Sequence, residues 1–445
     1  MPAGSKGTIV KPSLAVRASS WSAGHSGAVI ALWLVFVALA QLPGLTGGRR
    51  LGDGSLSDPD VAANWWPLVA APVAVLLSVP FSRLLLLVSA LFISVVTAAS
   101  AAVLDTVSGS VGMTPRTGDA ALLVVITVSV QHMLFTFCRR REALAGGNDA
   151  SRAARIVAST AGNAALVSGS GVAAALAAVA LAGSADLMPL ATAVLVAVLV
   201  STVAALSLLP ALNDRVLTSP RELPPPRLTV GDLPRFVRPT AIVLGLLALG
   251  AAAVYGSLRV FSPGCPACRP LVDDLDACGV VTLLVVLGLA TLVAYRRPVV
   301  ALATFLLNGV AVLAGLGALA LLVDPLPGWA PMVLVVVLLV PANHLQVYLL
   351  HRLRSETLAG MSRRNTVAHA CRRAWSASGG ALLVAVVMWL VWGMTETGDV
   401  REFALATAAI LVADTLIVRF LLLPRLAVLG GRTNWWRVRG PKDAR

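Results

Sequence analysis

One segment of this sequence is written twice: QHMLFTFCRRR at residues 131–141 and HLQVYLLHRLR at residues 344–354. Each copy begins with a polar residue, continues through an apolar stretch and ends in Arg-x-Arg, and the copies lie 213 residues apart. Arg83 and Arg296 are separated by the same distance. Because several polar anchors keep one offset, we expect the chain to consist of two duplicated halves.

The composition predicts a membrane protein. Hydrophobic residues make up 58% of the chain and charged residues 13%, and the mean hydropathy is +0.85. A soluble protein of this composition would lack enough polar surface. A helix needs roughly 20 apolar residues to cross a bilayer, and we find twelve such runs, which predicts an all-α polytopic bundle. The runs are residues 27–45, 65–81, 83–104, 119–138, 156–183, 187–212, 239–261, 278–295, 298–323, 330–350, 376–394 and 403–424.

A proline-rich linker at residues 213–238 divides the twelve predicted spans into two repeats of six. The first repeat covers residues 27–212 and the second residues 239–424, with an N-terminal tail at 1–26 and a basic tail at 425–445. An even number of spans gives both repeats the same orientation. We therefore expect two parallel six-helix repeats related by an axis along the membrane normal.

The net charge of +14 follows the membrane topology. Arginines concentrate in the two tails, the linker and alternate loops, whereas the opposite loops are acidic. This positive-inside pattern places both termini and the linker in the cytoplasm. It explains the basic character without nucleic acid, and it favours contact with anionic membrane lipids.

We find no catalytic or cofactor motif: no phosphate-binding Walker loop, metalloprotease motif or nucleophile elbow is present. An enzyme is therefore not expected. Cys265, Cys268 and Cys278 lie in or beside the extracytoplasmic loop at 262–277 and predict a disulfide. The pair Cys268 and Cys278 is slightly favoured because a Cys-x-x-Cys ring is more strained. No metal site is expected, since no histidine accompanies the thiols.

Several motifs resemble the membrane domain of the mycobacterial membrane protein large (MmpL) family of RND transporters. They are DTLIVR at residues 414–419, Leu423-Pro424, NWW at 434–436, residues 154–212 and the duplicated Arg-x-Arg segment. The resemblance implies an RND-like bundle in the bacterial inner (plasma) membrane that handles envelope lipids or hydrophobic compounds.

Two departures from the family affect the expected activity. The relatives carry large porter domains after the first and seventh spans, whereas here these loops are residues 46–64 and 262–277, too short to form a domain. The Asp-Tyr proton relay of the relatives falls on Gln131-His132 in the fourth span and on His344-Leu345 in the tenth. Both acids are absent.

Only His132, His344 and Asp414 could replace the relay, because a relay needs a group that changes charge inside the bilayer. Counting residues from the ends of their spans places the three at similar depth. In one interpretation Asp414 is the counter-charge of an imidazolium. In the other, the histidines and Gln131 hydrogen-bond to each other as relay remnants, and Asp414 pairs with Arg419.

Three functions therefore remain open. The first is a degenerate family member that acts as an accessory or scaffold, with an envelope-biogenesis protein or a porter-bearing transporter as partner. The second is an active lipid or hydrophobic-compound transporter or flippase coupled through His132, His344 and Asp414. The third is a sensor of membrane lipids, which rests on fold analogy alone.

Overall fold

The computed structural model describes residues 13–45, 83–182, 187–216, 277–323, 326–358 and 363–423. These residues form helices joined by short turns, with no strand among them. The helices of the first part are α1 (Leu14–Gly24), α2 (Ser26–Leu45), α3 (Arg83–Val111), α4 (Pro115–Ala145), α5 (Ala150–Val157), α6 (Asn163–Ala182), α7 (Leu187–Leu206) and α8 (Leu208–Val216). The helices of the second part are α9 (Ala277–Tyr295), α10 (Pro298–Leu322), α11 (Ala330–Leu358), α12 (Arg363–Thr395) and α13 (Gly398–Ala413). Two π-helical segments complete the fold, Ala158–Gly162 between α5 and α6 and Asp414–Leu422 after α13.

Nine helices or continuous helix pairs in the described residues are long and apolar enough to cross a membrane. A tenth arises if α1 and α2, bent by 94°, form one span. The prediction of an all-helical, multi-pass membrane protein is therefore confirmed. Two of the twelve predicted spans, 65–81 and 239–261, lie outside the described residues, as do the linker from residue 217 onward and the C-terminal tail.

Several helices extend beyond the apolar runs that predict them. The run at 330–350 belongs to a helix that continues to Leu358, and the run at 376–394 to one that begins at Arg363. Hydropathy marks where a segment meets the first charges, whereas backbone hydrogen bonding continues past the hydrocarbon. The predicted N-terminal tail likewise contains α1, which begins after Ser13, whose hydroxyl accepts from the backbone N–H of Val16.

Helices α4 and α11 form the centre of the bundle, since 89% and 94% of their apolar windows are buried. They pack against each other and against α12. α4 starts cleanly because the Thr114 hydroxyl caps the backbone N–H of Thr117 and Pro115 occupies the first turn. The duplicated segments both lie on these two central helices, so the polar residues of the segments are enclosed by protein.

The two duplicated segments also contact each other. Phe135 of α4 stacks on Tyr348 of α11, with ring centroids 3.6 Å apart and an interplanar angle of 3°. At the arginine-rich ends, Glu142 pairs with Arg139 of its own helix at 3.1 Å and with Arg352 of α11. Helices α4 and α11 are therefore connected by an aromatic contact within the apolar stretches and by an ion pair near the arginines.

Candidate functional site

The four predicted relay positions are all buried. Gln131 and His132 on α4 are 6% and 4% exposed, His344 on α11 is 2% exposed, and Asp414, the first residue of the second π-helical segment, is 6% exposed. They come from three elements that surround the centre of the bundle. None of the four is placed to contact bulk lipid.

The two histidines meet each other directly. Their ring centroids are 5.1 Å apart with an interplanar angle of 61°, an edge-to-face contact. His344 Nδ1 lies 2.8 Å from the carbonyl of Val340, and His132 Nδ1 lies 3.5 Å from Ser201 Oγ. Within the described part of the chain, neither Nε2 atom has a hydrogen-bond partner. The contact between the histidines is thus made by the rings, and each imidazole keeps one unused polar atom.

Ser201 extends this pair into a small polar cluster. Its hydroxyl lies 2.9 Å from the hydroxyl of Ser129, one helical turn before His132 on α4. Ser129 and Ser201 are 1% and 0% exposed. Helix α7, which carries Ser201, therefore contributes a polar residue to the histidine pair that the sequence did not single out.

Asp414 belongs to a second polar cluster, centred on Arg419. Arg419 Nε donates to Asp414 Oδ2 at 3.2 Å, and Arg419 Nη1 donates to Asn308 Oδ1 at 2.8 Å and to Gln346 Oε1. The Arg419 side chain is 0% exposed. Burying a guanidinium is costly unless its charge and its donors are partnered; the charge, Nε and Nη1 of Arg419 have partners, whereas Nη2 has none among the described residues. One arginine here links the last helix to α10 and α11.

The π-helical backbone makes the Asp414–Arg419 pair possible. In an α-helix, residues three or four apart face each other, whereas Asp414 and Arg419 are five apart. A π-helix bonds residue i to residue i+5, which brings side chains at this spacing to the same side. The segment Asp414–Leu422 adopts this geometry. The ion pair between Asp414 and Arg419 therefore depends on the π-helical backbone of this segment.

A narrow cavity lies between Gln131 and Asp414. Its volume is ≈ 20 Å³, enough for one water molecule, and Pro341 and Ser378 also line it. Gln131 Oε1, Ser378 Oγ and Asp414 Oδ1 have no hydrogen-bond partner among the described residues. Pro341, inside α11, lacks the backbone N–H of an ordinary helical residue. The cavity therefore has polar groups from three helical segments in its wall, next to Pro341, where one backbone hydrogen bond of α11 is missing.

The structure brings the predicted residues together as two clusters. His132 lies against His344, Asp414 lies against Arg419, and Gln131 and Asp414 share the cavity wall. No hydrogen bond or ion pair joins Asp414 to either imidazole in the described residues, so the counter-charge arrangement is not present there. The two histidines and Gln131 do not hydrogen-bond to one another either; the histidines are in ring contact only.

Sequence reasoning missed three residues of these clusters: Gln346, Asn308 as a partner of Arg419, and Ser201. The Asn308 amide lies between helices, where its oxygen accepts from Arg419. Gln346 follows His344 by two residues in an otherwise apolar run. A polar side chain in the middle of a span was the available signal for each of them.

The cysteine prediction falls mainly outside the described residues. Cys265 and Cys268 lie there, and Cys278 is exposed near the start of α9. The described residues contain no group of three or more His, Cys, Asp or Glu side chains that could bind a metal ion.

Comparison with known proteins finds a family match for part of the chain. The model of the MMPL family matches residues 69–236, which include α3 to α8 and the first copy of the duplicated segment. A search of curated proteins finds no match.

Among solved structures, the fold is similar to that of SecDF from Thermus thermophilus, a translocon-associated membrane protein, with a TM-score of 0.64 and 17% sequence identity. The similarity covers 83% of this chain and 62% of SecDF, less than two thirds of that protein. At this identity the likeness shows a shared fold. The resemblance read from the sequence motifs is thereby confirmed for residues 69–236, which match the MMPL family model, and the helical bundle is similar in fold to SecDF.

Proposed function

We propose that this multi-pass protein has a membrane-transport-related role, which the match of residues 69–236 to the MMPL family model supports. Within that role, we propose that the chain is an accessory or scaffold in the handling of envelope lipids or hydrophobic compounds in the bacterial inner membrane. In this proposal both termini are cytoplasmic, and the protein performs no enzymatic reaction and uses no Asp-Tyr proton relay. Its partners are membrane lipids and an envelope-biogenesis protein or a porter-bearing transporter.

The observation that carries this proposal is the pairing of Asp414 with Arg419. Arginine stays protonated in proteins, so loss of the Asp414 charge would leave a buried cation with only amide acceptors, Asn308 and Gln346. A relay group must gain and lose charge in each cycle. An acid held by a permanent cation that three elements enclose is better suited to holding helices together.

Two further features support the accessory role. Gln131, at the position where the relatives have the relay acid, does not titrate. The loops at 46–64 and 262–277 are too short for porter domains, so a porter-bearing partner would supply the missing cargo site.

We also propose that the two halves are parallel repeats. A shift of 213 residues exchanges Phe135 with Tyr348, which are stacked. The same exchange, applied to whole spans, relates the packing of α4 against α12 to the packing of α11 against α6, and both contacts occur. These paired contacts support a two-fold axis between α4 and α11.

The accessory proposal is tested by isolating the protein in mild detergent from native membranes. We expect a second protein to copurify in fixed ratio and to be lost when the surface of the bundle is mutated. Purified monomer that moves fluorescent lipid between the leaflets of a liposome without a partner would overturn the proposal.

A second candidate function, a proton-coupled transporter, is favoured by one observation: the rings of His132 and His344 are in contact and each has an unpartnered Nε2. Two adjacent imidazoles inside a bundle can exchange a proton through a single intervening water. In this case His132→Ala, His344→Ala and Asp414→Asn should each abolish function while the protein remains in the membrane at normal levels.

The matched control is His351→Ala, also on α11, which removes a histidine in ring contact with Tyr295 and away from the pair. Complementation of a deletion strain gives the readout. If all three variants complement as well as wild type and the control, the relay is excluded.

A further inference from the structure

A second cavity lies away from the polar clusters, at the end of α4 that carries the three consecutive arginines. Its volume is ≈ 270 Å³. The walls come from α1, α4, α5, the π-helical segment Ala158–Gly162, α7 and α8. It is more than ten times larger than the cavity beside Asp414 and is separate from the site on which the proposed function depends.

Helix α1 forms one wall of this cavity and is held there by specific contacts. Ser13, just before α1, donates a hydrogen bond from its hydroxyl to Asn163 Oδ1 at 2.9 Å. A Cβ at Gly162 would lie 3.7 Å from Ser19 Oγ and 3.8 Å from the Ala15 Cβ, which is ordinary van der Waals contact, so α1 packs directly against the π-helical turn. The sharp 94° bend between α1 and α2 turns α1 across the end of the bundle.

The polar side of the cavity favours an anionic group. Arg140, 3% exposed, and the exposed Arg155 both line it, together with hydroxyls from Ser19, Ser20 and Ser151. Guanidinium groups bind phosphate with directional, charge-assisted hydrogen bonds. The Ser20 and Ser151 hydroxyls already donate to the Arg17 carbonyl and to Asp149, so the hydroxyl that can donate to a remaining phosphate oxygen is that of Ser19.

Asn213 and Asp214 are a second polar feature of the cavity lining. Asn213, 2% exposed, has an amide oxygen without a hydrogen-bond partner among the described residues, and Asp214 follows it. A hydroxyl or amine on the ligand could donate to these oxygens. The cavity lining thus offers both hydrogen-bond donors and acceptors.

The remaining walls and the surroundings indicate an amphiphilic ligand. Val16, Ala154 and Val157 add apolar surface to the same cavity. On α1, Leu14 and Trp21 are 64% and 59% exposed. A helix that presents Trp and Leu at the end of a membrane bundle is typical of one that lies in the lipid headgroup region. The volume, just below the usual range for small-molecule pockets, fits a headgroup and excludes a whole lipid.

We propose that this cavity binds the phosphodiester headgroup of a membrane lipid, with Arg140 and Arg155 on the phosphate, Asn213 and Asp214 on the polar substituent, and α1 as the cover. The acyl chains remain in the adjacent leaflet. The site would tie the position of α1, and through it α2, to the lipid composition of one membrane face.

The test uses the purified full chain in a neutral detergent and isothermal titration with dihexanoylphosphatidylglycerol. Parallel titrations use inorganic phosphate, which lacks the glyceride, and dihexanoylglycerol, which lacks the phosphate. We expect saturable binding of the phospholipid and much weaker binding of the two fragments. Arg140→Gln should weaken phospholipid binding roughly 10- to 100-fold, because it removes a charge-assisted hydrogen bond.

Two more variants keep the test decisive if Arg140→Gln fails to fold. Arg155→Gln changes an exposed residue of the cavity, and Ala23→Phe fills the cavity from α1 without changing charge. Both should weaken binding. Arg152→Gln is the matched control: Arg152 lies on the same short helix, is exposed and does not line the cavity, so binding should be unchanged.

Three outcomes overturn the proposal. One is the absence of phospholipid binding to the wild-type chain. Another is a fragment that binds as tightly as the phospholipid. Equal binding of inorganic phosphate would indicate a free-anion site, and equal binding of dihexanoylglycerol would indicate an apolar site. The last is wild-type affinity in all of the folded cavity variants.

Discussion

The substitution Asp414→Asn tests whether the buried ion pair stabilises the bundle. The amide keeps the shape of the carboxylate but removes its charge, so Arg419 becomes a fully buried cation beside three neutral acceptors. Removing one partner of a buried pair costs about 3–5 kcal/mol. The amide oxygen can still accept the Arg419 Nε–H, which returns about 1 kcal/mol. We therefore expect a net loss of roughly 2–4 kcal/mol.

The assay is thermal unfolding of purified protein in detergent, followed by tryptophan fluorescence. A loss of this size should lower the unfolding midpoint by several degrees. The double variant Asp414→Asn with Arg419→Gln removes both charges, so we expect it to be more stable than the single variant. Asp399→Asn, at an exposed acid in the first turn of α13, is the control and should change stability by less than about 0.5 kcal/mol.

Two results would refute this reasoning. If Asp414→Asn unfolds at the wild-type midpoint, the charge of Asp414 does not compensate that of Arg419. If the double variant is no more stable than the single one, the loss comes from packing and not from an unpaired cation. A variant that folds normally but loses transport would instead favour the proton-coupled function.

Three further predictions concern packing, backbone and pH. In Gly169→Ala the new Cβ would lie 2.1 Å from Thr202 Oγ1, so we expect the free energy of unfolding to fall by about 1–3 kcal/mol. The additional substitution Thr202→Gly should relieve this clash. Gly309→Ala is the control, because a Cβ there has no atom within 4 Å and should leave the unfolding midpoint unchanged. Arg296 has a φ of 53°, so Arg296→Gly should raise the unfolding midpoint by removing strain of about 1–2 kcal/mol; an unchanged or lower midpoint would contradict this. Hydrogen bonds from the backbone N–H of Arg152 and from the Ser151 hydroxyl lower the pKa of Asp149, so its stabilisation is present above the unfolded pKa of about 4 and is lost as the pH falls through the lowered pKa. Asp149→Ala should therefore lower the midpoint at neutral pH and progressively less in acid, and an equal effect at all pH values would count against the cap.

The amino-acid sequence predicted the helical membrane architecture because hydrophobic length is a direct requirement of the bilayer. It placed a helix in every described span, including the two central ones, α4 and α11. It also singled out the residues at their centre, since a His or Gln inside an apolar run is conspicuous. The ends of the helices were less predictable, because α12 continues well beyond the apolar run at 376–394.

The partners of the polar residues could not be read in the same way. The contacts of Arg419 with Asn308 and Gln346 depend on how three helices rotate about their own axes, and apolar runs carry little information on rotation. The pairing with Asp414 depends on a backbone geometry that spacing rules for α-helices do not contain. The cavity under α1 depends on a helix that lies in a stretch read as a tail.

The π-helical segment Asp414–Leu422 would rotate about the helix axis relative to α13 if its backbone converted to α-helix. In an α-helix each residue rotates the chain by about 100° about the helix axis. Because a π-helical turn holds more residues, its conversion to α-helix would rotate every side chain that follows it. Such a rotation would separate Arg419 from Asp414 and move Phe420 off the face of Trp375, where their ring centroids are now 4.6 Å apart. The ion pair between Asp414 and Arg419 thus fixes the rotation of this segment about its axis. Breaking the pair would allow the residues that follow Asp414 to rotate.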